Sequence, residues 1–418
     1  MNLPSNAAAA PAGDSRHHRL SEAFDACRRQ SLALCAGLSA EDHMVQGAAF
    51  ASPPKWHLAH TTWFFSTFLL APRALSPEVP DSWHTLFNSY YNGIGTPHAR
   101  AERGILSRPP LDDVITWRTR VDHQVQALLD QGACTDSELG LLELGIQHEM
   151  QHQELILTDL LYSFSRNPSH PVFDPDPVAP RPPAPPLSWH EFDGGLIEVG
   201  APAEGFSFDN EHPRHRQFLE PFALAGRLVT NREYQAFMAD GGYQDPQWWL
   251  SEAWDTLRSE NWQRPLHWRD DGHVFSLQGI QRIDGNAPVS HLSGYEADAF
   301  ARWSGCRLPT EFEWEHAAQR LGVGPEPAGL SPRGSASGWF GDVWQWTQSA
   351  YAPYPGFKPD AGAVGEYNGK FMSSQWVLRG GSFATPRAQQ RISYRNFFYP
   401  RDRWQFTGLR LAKTLVPA

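Results

Sequence analysis

The chain has 418 residues, of which 41% are hydrophobic, and it contains 17 Trp, 35 Pro and 34 Gly. This length favours two domains, each with a substantial core. The formal net charge of −11 comes without a basic patch, so nucleic acid is not expected as a partner. The four cysteines lack CxxC spacing, which excludes a disulfide framework and a thiolate metal site and fits a reducing cytoplasm.

The N-terminal residues 1–16 are rich in Ala, Pro and Ser. No hydrophobic core follows them, so they predict a disordered tail rather than a signal peptide. No apolar run in the sequence approaches membrane-spanning length, and no membrane partner is expected. A first helix is predicted over about residues 20–38, where Phe24, Leu32 and Leu38 recur with loose helical periodicity.

Two further helices are predicted before the middle of the chain. Ser52, Pro53 and Pro54 make a plausible helix start, because proline is tolerated in the first turn. His57 and His60 follow at a spacing of three residues, so either could face the interior of a helical bundle. The next helix is predicted over residues 111–131.

The strongest chemical signal is the pair His148 and His152 in a proline-free stretch, residues 137–165, whose leucines recur at helical spacing. Side chains at i and i+4 lie on one face of a helix, and neutral imidazoles are good ligands for Zn, Fe, Cu or Ni. The alternative is a solvated face with two incidental histidines. Because the pair interrupts a leucine-rich amphipathic helix, we predict a metal site in the core of an antiparallel four-helix bundle.

The loop over residues 87–104 is long and carries Tyr90, Tyr91, Arg100 and Arg103. Long loops in compact domains are often functional. The tyrosines could instead pack at the end of the bundle, and the arginines could be solvated charges or carboxylate clamps.

Residues 167–187 are rich in proline, which predicts a stiff, extended linker and a domain boundary. We therefore predict a tail over 1–16, a helical domain over 17–166, the linker, and a second domain over 188–418. The second domain is expected to be an irregular α+β fold with an aromatic-rich core. Its helices are predicted over 294–304 and 310–320, the latter starting at a capping box formed by Thr310 and Glu313.

Three segments of the second half, RLPTEFEWE (307–315), GDVWQWT (341–347) and LRGGSF (378–383), resemble the formylglycine-generating, sulfatase-modifying fold, a C-type-lectin-like domain. The His148 helix and the WHLAH segment (56–60) resemble a DinB-like four-helix bundle. In this order, the two domains resemble the EgtB-type ergothioneine sulfoxide synthases and the related selenoneine synthases. The resemblance covers nearly the whole chain after the tail.

This resemblance implies a mononuclear non-heme iron(II) enzyme whose metal is held by His60, His148 and His152. His57 then becomes a neighbour or a packed residue, and Gln151 lines the cavity. The implied reaction joins sulfur or selenium to C2 of the imidazole of hercynine, with O2 as oxidant. Three neutral histidines leave open coordination positions for the chalcogen and for O2.

The resemblance also implies roles for residues outside the helix. Asn396, Phe397 and Phe398 are candidates for the quaternary ammonium end of hercynine, because a cation favours ring faces; the alternative is that the two phenylalanines belong to the core. Tyr90 and Tyr91 match the tyrosine pair of the cysteine-using branch, in which one tyrosine supplies a proton or an electron. Arg100 and Arg103 match a donor-binding position.

Two departures from the family pattern bear on the donor. Phe50 and Ala51 stand where the synthases commonly have an acidic residue, and Ser66 stands where they have Glu. Both changes remove carboxylates that could hold the ammonium group of an amino-acid donor, which favours a selenosugar. The alternative is a sulfoxide synthase that uses cysteine or γ-glutamylcysteine.

Other classes of protein fit less well. A zinc-dependent DinB-like thiol transferase is a more distant alternative, since three histidines do not select the metal. A formylglycine-generating oxidase needs paired cysteines in the second domain, where only Cys306 lies. A non-catalytic lectin-like module leaves the histidines and tyrosines unexplained.

Overall fold

The computed structural model describes residues 12–176, 178, 181–334, 338–359 and 363–415. The chain divides into two compact units, residues 1–156 and 157–418. Most of the predicted tail, residues 1–11, lies outside the described residues, but the first helix begins at Ala12, so residues 12–16 are helical and this part of the prediction is wrong. None of the helices in the described ranges is long and apolar enough to cross a membrane.

The first unit is helical, as predicted. Its helices are α1 (Ala12–Cys35), α2 (Pro54–Phe65), α3 (Ser82–Leu86), α4 (Leu111–Asp130) and α5 (Asp136–Arg166), the last of which continues into the second unit. Helix α2 begins at Pro54 because a proline at the first helical position has no amide hydrogen to leave unpaired. The predicted ends of α4 and α5 agree with the structure to within one residue.

A buried ionic network joins three of these helices. Glu149 of α5 accepts hydrogen bonds from Arg28 Nη1 at 2.8 Å and Ser31 Oγ at 2.6 Å, both on α1, and from Arg118 of α4. Burial alone would raise the pKa of Glu149, but Arg118 and Arg28 outweigh it and lower the value to about 2. The carboxylate is therefore charged and fully paired, which fixes the rotation of α5 in the bundle.

The single glycine at Gly145 allows close packing of α5 on α2. A Cβ atom at this position would collide with the ring of Phe65, and it would lie 2.9 Å from the ring of Phe64. The helix therefore gives up some propensity, about 1 kcal/mol relative to alanine, so that two phenylalanines fit against its backbone.

The second unit contains short strands and four helices among its described residues. In chain order these are β1 (Trp189–Phe192), β2 (Gly195–Val199), β3 (His215–Leu219), β4 (Phe222–Ala225), α6 (Asn231–Ala239), α7 (Ser251–Ser259), β5 (His273–Ser276), β6 (Gly279–Arg282), α8 (Gly294–Trp303), α9 (Glu311–Leu321), β7 (Trp344–Ala350), β8 (Trp376–Arg379), β9 (Asn396–Phe398), β10 (Thr407–Gly408) and β11 (Ala412–Thr414). This mixture confirms the predicted α+β class. The capping box at Thr310 and Glu313 is confirmed at the start of α9.

The strands form small sheets rather than one large one. A four-stranded sheet has the order β10-β7-β8-β9, with β10 parallel to β7 and the other pairs antiparallel. A three-stranded antiparallel sheet has the order β1-β4-β11, and β2-β3 and β5-β6 are separate hairpins. Trp314 of α9 packs with Phe222, Leu224 and Trp339 in a buried core.

The proline-rich segment over 167–187 has no helix or strand among its described residues. It contacts the second unit: the amides of Phe173 and Asp174 donate to the carbonyl of Leu277, and Arg227 Nε donates to the carbonyl of Pro185 at 2.6 Å. The division between the units at residues 156 and 157 falls inside α5. A domain boundary at the proline-rich segment stays a prediction.

Candidate metal centre

Helices α2 and α5 bring His60, His148 and His152 together inside the first unit. One ring nitrogen of each lies within 4.8 Å of the others. Nε2 of His148 is 3.3 Å from Nε2 of His60 and 3.1 Å from Nε2 of His152. All three residues are buried. The spacing of four residues on α5 therefore supplies two nitrogens, and α2 supplies the third.

The hydrogen bond behind His60 sets its tautomer. Nδ1 of His60 lies 2.6 Å from the carbonyl oxygen of Phe87. A carbonyl oxygen can only accept, so Nδ1 carries the proton and Nε2 presents a lone pair to the other two histidines. Such a bond behind the ring is the usual support of a metal-binding histidine.

All three histidines are neutral at ordinary pH. Burial lowers the pKa of His148 to about 3, although the charge of Glu149 opposes the shift. Burial and the neighbouring histidines lower the pKa values of His60 and His152 well below the usual range. Neutral imidazoles are the form that binds a metal ion.

This donor set fits a transition metal. Nitrogens bound to one ion at about 2.1 Å and at angles between roughly 90° and 110° would lie about 3.0 to 3.4 Å apart. The two measured Nε2 separations, 3.3 and 3.1 Å, fall in this range. Because the three nitrogens also converge within 4.8 Å of one another, the geometry fits one bound metal ion.

Aromatic rings enclose the histidine group. The ring of His60 is stacked between Trp56, at 4.6 Å between centroids, and Trp63, at 5.9 Å. The ring of Phe64 lies 5.0 Å from that of His148. These walls exclude water and hold the imidazoles in one orientation.

His57 stands behind His152 rather than with the converging nitrogens. Its Nδ1 lies 2.7 Å from Nδ1 of His152. One of these two nitrogens must donate to the other, and a proton on His152 Nδ1 would leave Nε2 of that residue free to bind a metal. His57 therefore orients a candidate ligand.

The structure places the two predicted tyrosines differently. Tyr91 is buried and its ring packs 5.6 Å from Trp63 and 5.2 Å from Phe68, whereas Tyr90 is half-buried and its ring lies 4.7 Å from that of Tyr91 at a tilt of 30°. Trp63 in turn stacks on His60. The tyrosine pair therefore connects to the histidine group through an aromatic ring.

Asn88 shapes the tyrosine loop and was missed in the sequence. Its Nδ2 donates to the carbonyls of Tyr91 at 3.0 Å and Gly95 at 3.1 Å, and its Oδ1 accepts from the amide of Tyr91 at 3.1 Å. An asparagine that precedes a glycine-containing loop is a known turn former, and this was the available signal.

The structure also places the two predicted arginines in different environments. Arg103 is buried, its guanidinium carbon lies 3.4 Å from the ring centre of Trp56, and its Nη1 donates to Ser52 Oγ at 2.9 Å. Its charge contributes to lowering the pKa values of His60 and His152, so it lies near the group. Arg100 is exposed. Gln151, next to His152 in the chain, is half-buried.

The other predicted site residues lie in the second unit, on β9. The ring of Phe397 stacks on Tyr351 at 4.0 Å, and the ring of Phe398 lies 5.8 Å from Trp404. Asn396 accepts a hydrogen bond from the amide of Phe397 at 2.9 Å through its Oδ1. All three residues are half-buried.

Comparison with known proteins matches both halves of the chain. The model of the sulfatase-modifying factor enzyme 1-like domain matches residues 190–329 and 335–415, and the model of the DinB superfamily matches residues 23–156. A formylglycine-generating enzyme of Streptomyces coelicolor is 34% identical over 42% of this chain and 62% of its own length.

Two relatives span nearly the whole chain. A hercynine oxygenase of Mycolicibacterium smegmatis is 32% identical over 94% of this chain and 98% of its own length. A hercynine oxygenase of Mycobacterium tuberculosis is 32% identical over 86% of this chain and 91% of its own length. This chain thus combines a helical unit, which contains a buried three-histidine group, with a sulfatase-modifying-factor-like unit that follows it. It is similar to these relatives over most of its length. This protein belongs to the EgtB-type hercynine oxygenase family, a family of oxidoreductases.

Proposed function

We propose that this protein is an iron(II)-dependent, O2-using enzyme that joins selenium to C2 of the imidazole of hercynine, with a selenosugar as donor. Its whole-length relatives are hercynine oxygenases, which supports hercynine as the acceptor. The converging nitrogens of His60, His148 and His152 support a metal centre. Iron(II), when bound there, would supply the activation of O2.

The chain's own residues would position the reaction. The carbonyl of Phe87 fixes the orientation of His60, and His57 fixes that of His152. Trp56 and Trp63 keep water from the imidazoles by covering both faces of His60. A dry site strengthens electrostatic interactions and suppresses side reactions.

Tyr90 and Tyr91 would move a proton or an electron during turnover. Tyr91 packs on Trp63, and Tyr90 packs on Tyr91, so the pair extends outward from the ring that stacks on His60. Gln151 would line the cavity beside the ligands, and Arg103 would meet the polar part of the donor.

The quaternary ammonium of hercynine would be held by Asn396, Phe397 and Phe398. The two phenylalanine rings and the stacked Tyr351 offer aromatic faces, which attract a cation. The half-buried state of these residues is compatible with a ligand-facing role.

One observation carries the choice of an uncharged donor. Among the described groups that shift the pKa values of His60 and His152, the permanently charged one is a cation, Arg103. The positions that would carry carboxylates in the synthases hold Ala51, which is buried, and Ser66, whose hydroxyl lies 2.5 Å from that of Ser76. An amino-acid donor would bring an ammonium group without a carboxylate partner, and that is costly in a buried site.

The overall reaction balances with O2 as the oxidant. The C2–H bond of hercynine and the Se–H bond of the donor break, and a C–Se bond forms. One oxygen atom is transferred to selenium, and the second leaves as water with the two hydrogens. Four electrons pass to O2, so no further reductant is required.

The alternative is the sulfur reaction, with cysteine or γ-glutamylcysteine as donor. It is favoured by the relatives, among them the ergothioneine biosynthesis protein 1 of Schizosaccharomyces pombe, which is 26% identical over 50% of this chain and 28% of its own length. The metal site and the hercynine site would be the same in both reactions, so the donor alone separates them.

The test is a competition between donors. The full-length protein is loaded with iron(II) under anaerobic conditions and given hercynine, O2, a selenosugar, cysteine and γ-glutamylcysteine together. Mass spectrometry is expected to show a selenium-bearing hercynine adduct. His152→Ala should abolish the adduct and iron binding, whereas His123→Ala, at an exposed position on α4, should change neither.

A sulfur adduct as the main product would overturn the selenium donor and return the enzyme to the sulfoxide synthases. No adduct from any donor, with iron bound at full occupancy, would overturn the proposed reaction. An adduct that persists in His152→Ala would overturn the three-histidine centre.

A further inference from the structure

The second unit contains a cavity of about 400 Å³ that has no part in the proposed reaction. Its lining residues all belong to the second unit and come from the hairpin β5-β6, the segment before α8, and the loops near Leu330, Phe383 and Phe406. Small-molecule sites commonly have volumes of about 300 to 1,000 Å³ and combine apolar walls with a few polar groups.

Buried hydrogen-bond acceptors in this wall lack partners. Among the described residues, Gln278 Oε1, His291 Nδ1 and Ser290 Oγ have none. Gln278 is 8% exposed and His291 is 6% exposed, so neither is served by bulk solvent. Leaving a buried polar atom unpaired is unfavourable, and native proteins rarely do so, so these atoms require an explanation.

The side-chain amide donors in the wall, by contrast, are engaged with the protein. Gln278 Nε2 donates to Asp174 Oδ2 at 3.0 Å and to the carbonyl of Leu330 at 3.3 Å. Gln281 Nε2 donates to the carbonyl of Gln278 at 2.8 Å, and Asn231 Nδ2 donates to the carbonyl of Asp284 at 2.8 Å. The wall therefore presents hydrogen-bond acceptors that the donor groups of a ligand can satisfy.

The wall contains three charged side chains, of which Arg181 and Asp284 form an ion pair and Arg282 is exposed. Arg181 Nη1 pairs with Asp284 Oδ2 at 3.1 Å, and the same guanidinium also donates to the carbonyl of Pro332. Burial lowers the pKa of His291 to about 4, so its ring is neutral. The buried part of the wall therefore has no net charge, because its arginine and its aspartate are paired and its histidine is neutral, and this favours a neutral ligand.

The remaining wall is apolar and aromatic. The rings of Phe383 and Phe406 lie 4.2 Å apart, and the ring of His291 lies 5.4 Å from that of Phe406. Trp268 and Phe275 also line the cavity. Flat apolar walls around a few acceptors match a ring with an apolar face and hydroxyl groups at its edge.

His291 is also held in a strained conformation. Its φ is +63°, in the left-handed region that residues with a Cβ atom rarely adopt. Such strain is found most often at functional sites, where the surrounding structure maintains it.

We propose that this cavity is a second binding site and that it takes a neutral, hydroxyl-rich ring molecule of the size of a monosaccharide. The hydroxyl groups donate to Gln278 Oε1 and His291 Nδ1, Ser290 exchanges a hydrogen bond with a third hydroxyl, and the aromatic side chains cover the ring. The inference does not depend on the metal centre or on the identity of the chalcogen donor.

The probe is methyl α-D-glucopyranoside, which is neutral, and it is compared with glucosamine and glucose 6-phosphate. Binding to the full-length protein is measured by saturation-transfer NMR and by titration calorimetry, with and without iron(II). The neutral glycoside is expected to bind best, with equal affinity in both metal states. A soaked crystal is expected to show the ring in the cavity.

Variants tie the binding to the wall. Ser290→Ala and Gln278→Leu should each weaken glycoside binding about five- to tenfold, the effect of one lost hydrogen bond. Gln263→Leu makes the same chemical change at an exposed position outside the cavity and should leave binding unchanged. The variants' unfolding curves show whether they fold.

Several results would overturn the proposal. These are binding of none of the three probes, equal binding by the Ser290→Ala and Gln278→Leu proteins while they remain folded, preference for the charged probes, or a crystal in which only water contacts the acceptors. Because the readout is binding and not turnover, a failure here is distinct from a failure of the proposed reaction.

Discussion

Two buried polar clusters, one in each unit, are built in opposite ways. In the second unit, Glu311 and Glu315 of α9 meet Arg379 and Arg395, and four contacts join opposite charges at 2.8 to 3.0 Å. In the first unit, His60, His148 and His152 turn neutral nitrogens toward each other at 3.1 and 3.3 Å. Each of these glutamates finds a cationic partner within the protein, whereas the histidine group brings three neutral ring nitrogens to one place.

This difference separates a structural cluster from a functional one. A buried ion pair that satisfies its own charges supports a fold and needs nothing added. Converging neutral imidazoles are the arrangement that binds a transition metal, so their presence in a well-packed core indicates a binding site. Both clusters are buried and polar, and the pairing of opposite charges in only one of them distinguishes them.

The strongest test of this difference is to neutralise one buried glutamate in each unit. Glu149→Gln and Glu311→Gln should each lower the free energy of unfolding by about 3 to 5 kcal/mol, because buried arginines lose their partner. Glu149→Gln should also weaken metal binding, since Glu149 fixes α5 next to His148. Urea unfolding and metal titration measure both effects.

Glu311→Gln is the control for metal affinity and should leave it unchanged. A loss of metal affinity in Glu311→Gln equal to that in Glu149→Gln would contradict the separation of roles. An unfolding free energy unchanged in both would contradict the assignment of these networks as stabilising.

Acid should destabilise the second unit through His291. Burial and Arg403 lower the pKa of this histidine to about 4, against the opposing main-chain bonds at Trp404 and Gln405. In the unfolded chain the value is about 6.5, so the unfolded state takes up the proton first. The stabilisation is complete above about pH 6.5 and falls by about 1.4 kcal/mol per pH unit toward pH 4.

Urea unfolding at pH 7, 6 and 5 measures this slope in the wild type and in His291→Phe. The variant should lose roughly that much of the slope, whatever its stability at pH 7. An identical slope in both proteins would show that His291 is not the titrating group.

Removal of the metal should affect only the first unit. A ligand at 100 times its dissociation constant stabilises the state that binds it by about 2.7 kcal/mol. Chelation should therefore speed hydrogen exchange in the part of α5 around His148 and leave the amides of β7 and β8 unchanged. Faster exchange in β7 and β8 to the same extent would show that the units do not unfold separately.

The smallest of these effects concerns His57. His57→Phe keeps an aromatic ring but removes the partner of His152 Nδ1, which lies 2.7 Å away. Metal affinity should fall about 10- to 100-fold, the usual effect of losing a group that orients a ligand. His123→Phe, on the exposed face of α4, is the matched control. Unchanged metal affinity in His57→Phe would make His57 a packing residue only.

Much of this architecture could be predicted from local patterns. The helical class of the first half follows from leucine periodicity and the absence of proline between residues 137 and 165, and α9 starts at Thr310 because the capping box is a local motif. The pairing of His148 with His152 follows from helix geometry alone. Patterns of this kind depend on neighbours within one or two turns, so a sequence contains them in full.

The rest depended on contacts between distant residues. Spacing on α2 left His57 and His60 as equal candidates. Packing against α5 turns Nε2 of His60 toward His148 and places His57 behind His152. Likewise, Glu149 pairs with Arg28, which lies 121 positions away in the sequence, and with Arg118, which lies 31 positions away. The sequence alone determined which residue types could bind a metal, but the rotation of each helix in the bundle, set by side-chain packing, decided which of them meet.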